Sequence, residues 1–135
     1  MRPSNNLFVY GTLKVGGSNY RLLAHEGVDF LGSATTKEFR FRMIGKGRSF
    51  PMVVTPGEHA IRGHLFRVEN ESVWHNLDRL EGVPHFYNHE PVKVSLDDSP
   101  DVSMTATMYL CNSRYVRDET SFDKAANNIL WWEHR

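Results

Sequence analysis

Strand-like runs outnumber helical ones in this chain and do not alternate with them, which limits the fold more than any other feature. Leu7-Phe8-Val9-Tyr10 is apolar, β-branched or aromatic and suits a buried strand. Val28 to Ala34 reads as a brief strand. Phe39 to Met43 alternates apolar and basic residues, the period of a strand with one wet face. Phe50 to Val54 is apolar but carries Pro51, which places it at an edge or bulge, and Thr55-Pro56-Gly57-Glu58 reads as a turn. Ile61 to Val68 is a further strand, with Gly63 marking a bulge or a close backbone approach. Tyr87 to Leu96 and Ser103 to Cys111 follow, joined by the polar hairpin-like loop Asp97–Asp101. In the last of these strands Met104, Ala106, Met108 and Leu110 share one face.

Helical signals are fewer. Asn70 to Glu81 carries the strongest, with Val73, Leu77 and Leu80 on one stripe and Trp74 beside it. Asn70 or Ser72 caps its start, and Gly82 and Pro84 end it. Ser18 to His25 predicts a short helix capped by Ser18 and ended by Gly27. Phe122, Ala125, Ala126, Ile129 and Leu130 are spaced as one face of a terminal helix with Ser121 or Asp123 at its cap. Because strands are not regularly followed by helices, the pattern argues against a parallel doubly wound sheet. The expectation is an α+β fold with a mostly antiparallel sheet or small barrel.

Length fits one domain over residues 1–135, with no repeat and no linker-like change of composition. Sixteen basic residues balance sixteen acidic ones, so there is no electrostatic case for nucleic acid or an anionic membrane as partner. No apolar run approaches the length of a membrane-spanning helix, and the polar stretch Met1–Asn6 has no apolar signal core. A single cysteine, Cys111, precludes an internal disulfide framework. A cytoplasmic location fits these features.

Two stretches can carry chemistry. The first strand breaks at Gly11 into Gly11-Thr12-Leu13-Lys14, and a Gly16-Gly17 pair follows. A glycine there can adopt positive φ or admit a neighbour to the backbone. The loop's free N–H groups make a seat for a carboxylate or another anion. The second stretch ends in Glu81, an acid at the negative end of a helix, where a base is locally preferred. That field raises a carboxyl pKa, and more so if Trp74, Phe86 or Tyr87 covers the group. A carboxyl so shifted can accept and return a proton near neutral pH. The bland alternative is that Glu81 is solvated or paired with Arg79 or a base distant in the chain.

Together, Leu7-Phe8-Val9-Tyr10-Gly11-Thr12-Leu13-Lys14, the strand Gly63-His64-Leu65-Phe66-Arg67-Val68, and Leu77-Asp78-Arg79-Leu80-Glu81-Gly82-Val83-Pro84-His85-Phe86-Tyr87 resemble the γ-glutamyl cyclotransferase-like family. The resemblance runs from about Leu7 to Leu110. Phe50 to Val54, followed by Gly57-Glu58-His59, is most similar to the γ-glutamylamine cyclotransferase branch. The resemblance implies a small mixed or antiparallel β-barrel flanked by helices. It also implies an amine-releasing enzyme of the lyase or transferase type that cyclises a γ-glutamyl group to 5-oxoproline. Its substrate is a γ-glutamyl small molecule, such as an ε-linked lysine isopeptide. Glu81 matches the family's acid/base. Tyr10, Gly11, Thr12 and Leu13 match its substrate-binding loop, whose amides at Gly11 to Leu13 hold the α-carboxylate. Tyr87 matches a tyrosine beside the pocket. No metal or cofactor is expected. The alternative is a non-catalytic relative that binds a small carboxylated ligand or a partner protein at the same loop. A glutamate at position 81 favours the enzyme.

Other candidates are weaker. His85 and His89 are four apart but lack an obvious third ligand, so a metal site is not expected. Cys111 reads as a packed thiol. Arg40, Arg42, Lys46 and Arg48 read as a solvated strand face, and Trp131 and Trp132 as packing.

Overall fold

The computed structural model describes residues 2–44, 51–112, 125–126 and 129–132. Its strands are β1 (Asn6–Val9), β2 (Val28–Thr36), β3 (Phe41–Ile44), β4 (Met52–Val68), β5 (Tyr87–Leu96), β6 (Met104–Cys111), β7 (Ala125–Ala126) and β8 (Ile129–Leu130). One α-helix, α1 (Glu71–Glu81), lies between β4 and β5.

Five strands close into a barrel in the order β1-β6-β5-β2-β4, with β4 returning to β1. All pairings in the ring are antiparallel except β1 with β6, which runs parallel through Leu7↔Thr107 and Phe8↔Met108. Closure leaves the ring without free edges. It also explains why Leu7 to Tyr10 is apolar throughout rather than alternating. Phe8 and Tyr10 point into the barrel interior with Leu65, Val92, Val94, Ala106 and Met108. Leu7 and Val9 point the other way and pack with Val73, Trp74 and Leu77 under α1. A strand buried on both faces needs apolar residues at every position.

The sharpest departure from expectation lies in β4. Thr55-Pro56-Gly57-Glu58 does not reverse the chain. It is a bulge inside one strand of 17 residues, lying between the pairs Phe41↔His59 and Arg42↔Val54. Gly57 is required there because a Cβ would sit 2.2 Å from the Phe41 carbonyl oxygen. A bulge and a turn draw on the same residue types, and only the β3 partner decides between them.

The chain end also differs. Ala125–Ala126 and Ile129–Leu130 are short strands, not one face of a helix. β8 runs parallel to β4 through Ala60↔Ile129 and Ile61↔Leu130, and Leu130 and Trp132 join the barrel interior. An available strand edge outweighed a weak helical period. Trp132 is thus packing, as its sequence suggested, and the Lys14 ammonium donates to its carbonyl. Phe122 and the proposed caps Ser121 and Asp123 lie outside the described residues. After β1, Ser18 to His25 forms only a 3-10 turn at Tyr20–Leu22 with no side-chain cap. The flanking helices therefore reduce to α1 and this turn among the described residues.

Candidate active site

Beside the barrel wall lies a cavity of about 800 Å3, and its lining joins the loop after β1 to the last turn of α1. The loop is held from behind. The Tyr10 hydroxyl donates to the Tyr109 carbonyl at 2.9 Å and accepts the Val53 N–H, so its polar end is committed to the fold. The Lys14 N–H closes a turn on the Gly11 carbonyl at 3.0 Å. Asn19 grips Thr12 twice at 2.9 Å, its backbone N–H on the carbonyl and its side-chain amide on Oγ1. The N–H groups of Gly11, Thr12 and Leu13 donate to no acceptor among the described residues. Gly11 does not take positive φ. It is needed for space, since a Cβ would come within 2.8 Å of the Pro51 ring.

The helix end is fixed just as locally. The Asn70 side chain accepts the N–H groups of Ser72 and Val73 at the start of α1. Gly82 ends it in the left-handed conformation at φ 64°, with its N–H on the Arg79 carbonyl. Glu81 is the final helical residue. Burial raises its carboxyl pKa from an ordinary 4.5 to about 7. It forms no ion pair with Arg79, and no hydrogen bond among the described residues reaches it. Leu80 is not part of the buried stripe. It is 43% exposed and lines the cavity, while Val73, Trp74 and Leu77 carry the packing.

Tyr87, at the start of β5, also lines the cavity. Burial and then the Glu81 charge push its phenol well above its ordinary value. The same charge raises Tyr10, Tyr109 and Cys111, each after the larger effect of burial. One carboxylate thus faces the N-terminal loop, β5 and β6 at once. All the residues singled out in the sequence for this site line the cavity: Tyr10, Gly11, Thr12, Leu13, Glu81 and Tyr87.

Sequence reasoning missed Asn19, Arg79 and Tyr109 as cavity residues. Tyr109 carried a faint signal, a polar-tipped aromatic on the face of β6 that points away from the barrel interior. His89 is held by Asp78, with Nε2 at 2.7 Å from Oδ1. Among the described residues no cluster of His, Cys, Asp and Glu has a metal-binding arrangement. Cys111 is buried, its thiol pushed up by burial. Arg40 pairs with Glu38 and Glu90, and Lys46 and Arg48 lie outside the described residues. Among the described residues no helix is long and apolar enough to cross a membrane.

Residues 7–129 match the family described as γ-glutamyl cyclotransferase, AIG2-like. The chain belongs to that family. Among curated relatives, γ-glutamylaminecyclotransferase of Bos taurus is 34% identical over 96 residues, and γ-glutamylaminecyclotransferase A of Danio rerio is 31% identical over 96. These matches cover 67% of this chain in each case, and 56% and 59% of the relatives' own lengths. They agree with the branch to which Phe50 to Val54 pointed. The crystal structure of an AIG2-like protein from Mus musculus superimposes with a TM-score of 0.70 at 24% identity, covering 93% of both chains. The α+β barrel of this cyclotransferase-like chain is therefore the family fold.

Proposed function

We propose that the chain is a γ-glutamyl cyclotransferase of the γ-glutamylamine type, which converts a γ-glutamyl amine into 5-oxoproline and a free amine. The observation that carries this reading is a half-buried carboxyl, its pKa raised by burial to about 7, that has no hydrogen-bond partner among the described residues and shares one cavity with three backbone N–H groups likewise without an acceptor among them. Those N–H groups suit the substrate's α-carboxylate. Binding it there folds the glutamyl chain so that its α-nitrogen lies near its own γ-carbonyl carbon, which supplies proximity. Glu81 accepts a proton from the α-amine as its nitrogen forms a bond to that carbon. The γ-amide C–N bond then breaks, and Glu81 returns the proton to the departing nitrogen. Water is not consumed. Tyr87, whose hydroxyl has no hydrogen-bond partner among the described residues, is positioned to orient the reacting group. Pro51, Met52 and Leu80 give the cavity an apolar side suited to an aliphatic leaving amine.

The test is release of 5-oxoproline from γ-glutamyl-ε-lysine and from simple γ-glutamyl amino acids, with Glu81→Gln alongside. Turnover is expected from the wild type, and a fall of about 100-fold or more in the variant, which keeps the shape and loses the proton carrier. Folded wild-type protein that releases no 5-oxoproline from any of these compounds would instead favour a ligand-binding role for the loop.

A further inference from the structure

A second polar assembly stands directly behind the cavity wall. Asp78 lies three residues before Glu81 on α1, and a single one of its oxygens takes two partners. The Tyr109 hydroxyl donates to Oδ1 at 2.6 Å, and His89 Nε2 lies 2.7 Å from the same atom. Tyr109 and His89 are directly opposite each other on β6 and β5, with ring centroids 5.3 Å apart. The His89 ring also meets Trp74 edge-on at 6.4 Å, one turn earlier on the helix. Tyr109 lines the cavity, and its carbonyl receives the Tyr10 hydroxyl just before the Gly11 loop. The charged and titratable groups around this assembly include Glu81 and Arg2, which act on Tyr109, and Glu71 and His75, which line a groove with Arg2 and Asp78.

The rest of α1 shows why this matters. Its start is tied by the Asn70 cap, by the Asn70 amide on the Glu26 carbonyl and by the Arg2–Glu71 ion pair. Among the described residues, Asp78 makes the only side-chain hydrogen bonds between the second half of the helix and the barrel. Leu80, the next apolar residue along, is largely exposed and contributes little hold. A carboxyl at the last helical position would otherwise swing with a fraying end.

We propose that Asp78 is a positioning residue for this site: by gathering Tyr109 and His89 on one oxygen it locks the last turn of α1, and with it Glu81, against the β5–β6 wall and the loop behind Tyr10. The inference rests on the cyclotransferase reading for its catalytic consequence, but not for its structural one. Asp78 touches no reacting atom in this scheme. It acts by keeping Glu81 covered and in register with the loop.

The experiment compares Asp78→Ala, Asp78→Asn and Tyr109→Phe with Asn70→Ala, which loosens the opposite end of the same helix. Two readouts are taken on variants shown to unfold cooperatively. One is the titration of the Glu81 carboxyl by carbon NMR, assigned by its absence in Glu81→Gln. The other is kcat and KM for 5-oxoproline release. Asp78→Ala and Tyr109→Phe are expected to move the Glu81 midpoint down from about 7 by about one pH unit or more as water reaches it. They are expected to lower kcat roughly 10- to 100-fold with a smaller change in KM. Asp78→Asn, which keeps an oxygen for Tyr109, is expected to recover much of both. The pair Asp78→Ala with Tyr109→Phe is expected to lose little more than either alone, because both remove one link. An unmoved Glu81 titration in Asp78→Ala overturns the proposal. So does an equal shift in Asn70→Ala, which would make Asp78 a general helix anchor. Wild-type protein inactive on every γ-glutamyl compound sinks the reaction, and the titration still decides the role of Asp78.

Discussion

Glu81 is a liability to folding and, in the proposed reaction, an asset to proton transfer, for the same reason. Burial holds its pKa near 7 in the folded chain, above its ordinary 4.5. Between those values the folded state binds more protons than the unfolded one, so the stability this group contributes is complete below about 4.5 and falls as pH rises through about 7. Glu81→Gln is expected to be more stable than wild type at pH 8 by roughly 1–3 kcal/mol, the range allowing for partial solvent contact, with no gain at pH 4. Denaturant titrations at the two pH values measure the difference, and equal gains at both would rule out a raised pKa. Activity should run the opposite way, rising with pH through about 7 as the base ionises. Gly11 gives a steric prediction at the same scale. Gly11→Ala must displace the Pro51 ring from 2.8 Å, and a proline ring cannot rotate away. It is expected to cost about 1–3 kcal/mol and to reduce kcat/KM about 10-fold or more, read from unfolding curves and steady-state rates.

At the scale of elements, α1 is specified from both ends. Asn70 satisfies two of the helix's first N–H groups, and its amide also holds the Glu26 carbonyl. Asn70→Ala should lower stability by about 1 kcal/mol, seen as a shifted denaturant midpoint with an unchanged slope. These signals were legible in the sequence because a capped amphipathic helix is written in local residues. The bulged strand β4 was not. Thr55-Pro56-Gly57-Glu58 has the composition of a turn, and its conformation depends on β3, which lies outside any local window. Leu80 shows the converse error: it fits the apolar period of α1, but it is exposed and lines the cavity instead of packing with Val73, Trp74 and Leu77.

At the scale of the whole molecule, the site exists because the ring closes. β1 pairs with β4 on one side and β6 on the other, which places the Gly11 loop beside Tyr109 and brings both to Glu81. Gly63 guards that seam, since a Cβ there would lie 2.1 Å from the Val9 carbonyl oxygen. Gly63→Ala is expected to part β1 from β4, costing about 3 kcal/mol or more and exposing the β1 amides to hydrogen exchange. Retained protection of Val9 and Phe8 in that variant would show that the seam tolerates a side chain. The inward and outward faces of β1 form separate clusters, so this strand links the barrel interior to the packing under α1.

The sequence by itself determined the strand-rich α+β class, the boundaries of α1, the glycine loop and the misplaced acid at Glu81. Each is encoded by residue type and short-range period, and the physical preferences behind them act within a few residues. Tertiary structure alone decided that β4 runs unbroken through its bulge, that Ile129–Leu130 adds to its edge, and that the Tyr10 hydroxyl is spent on the Tyr109 carbonyl. It also decided that burial sets the Glu81 proton affinity and that Asp78 meets Tyr109 and His89. Those outcomes depend on partners up to a hundred residues away, and desolvation and hydrogen bonding are properties of the assembled surroundings, not of any residue alone.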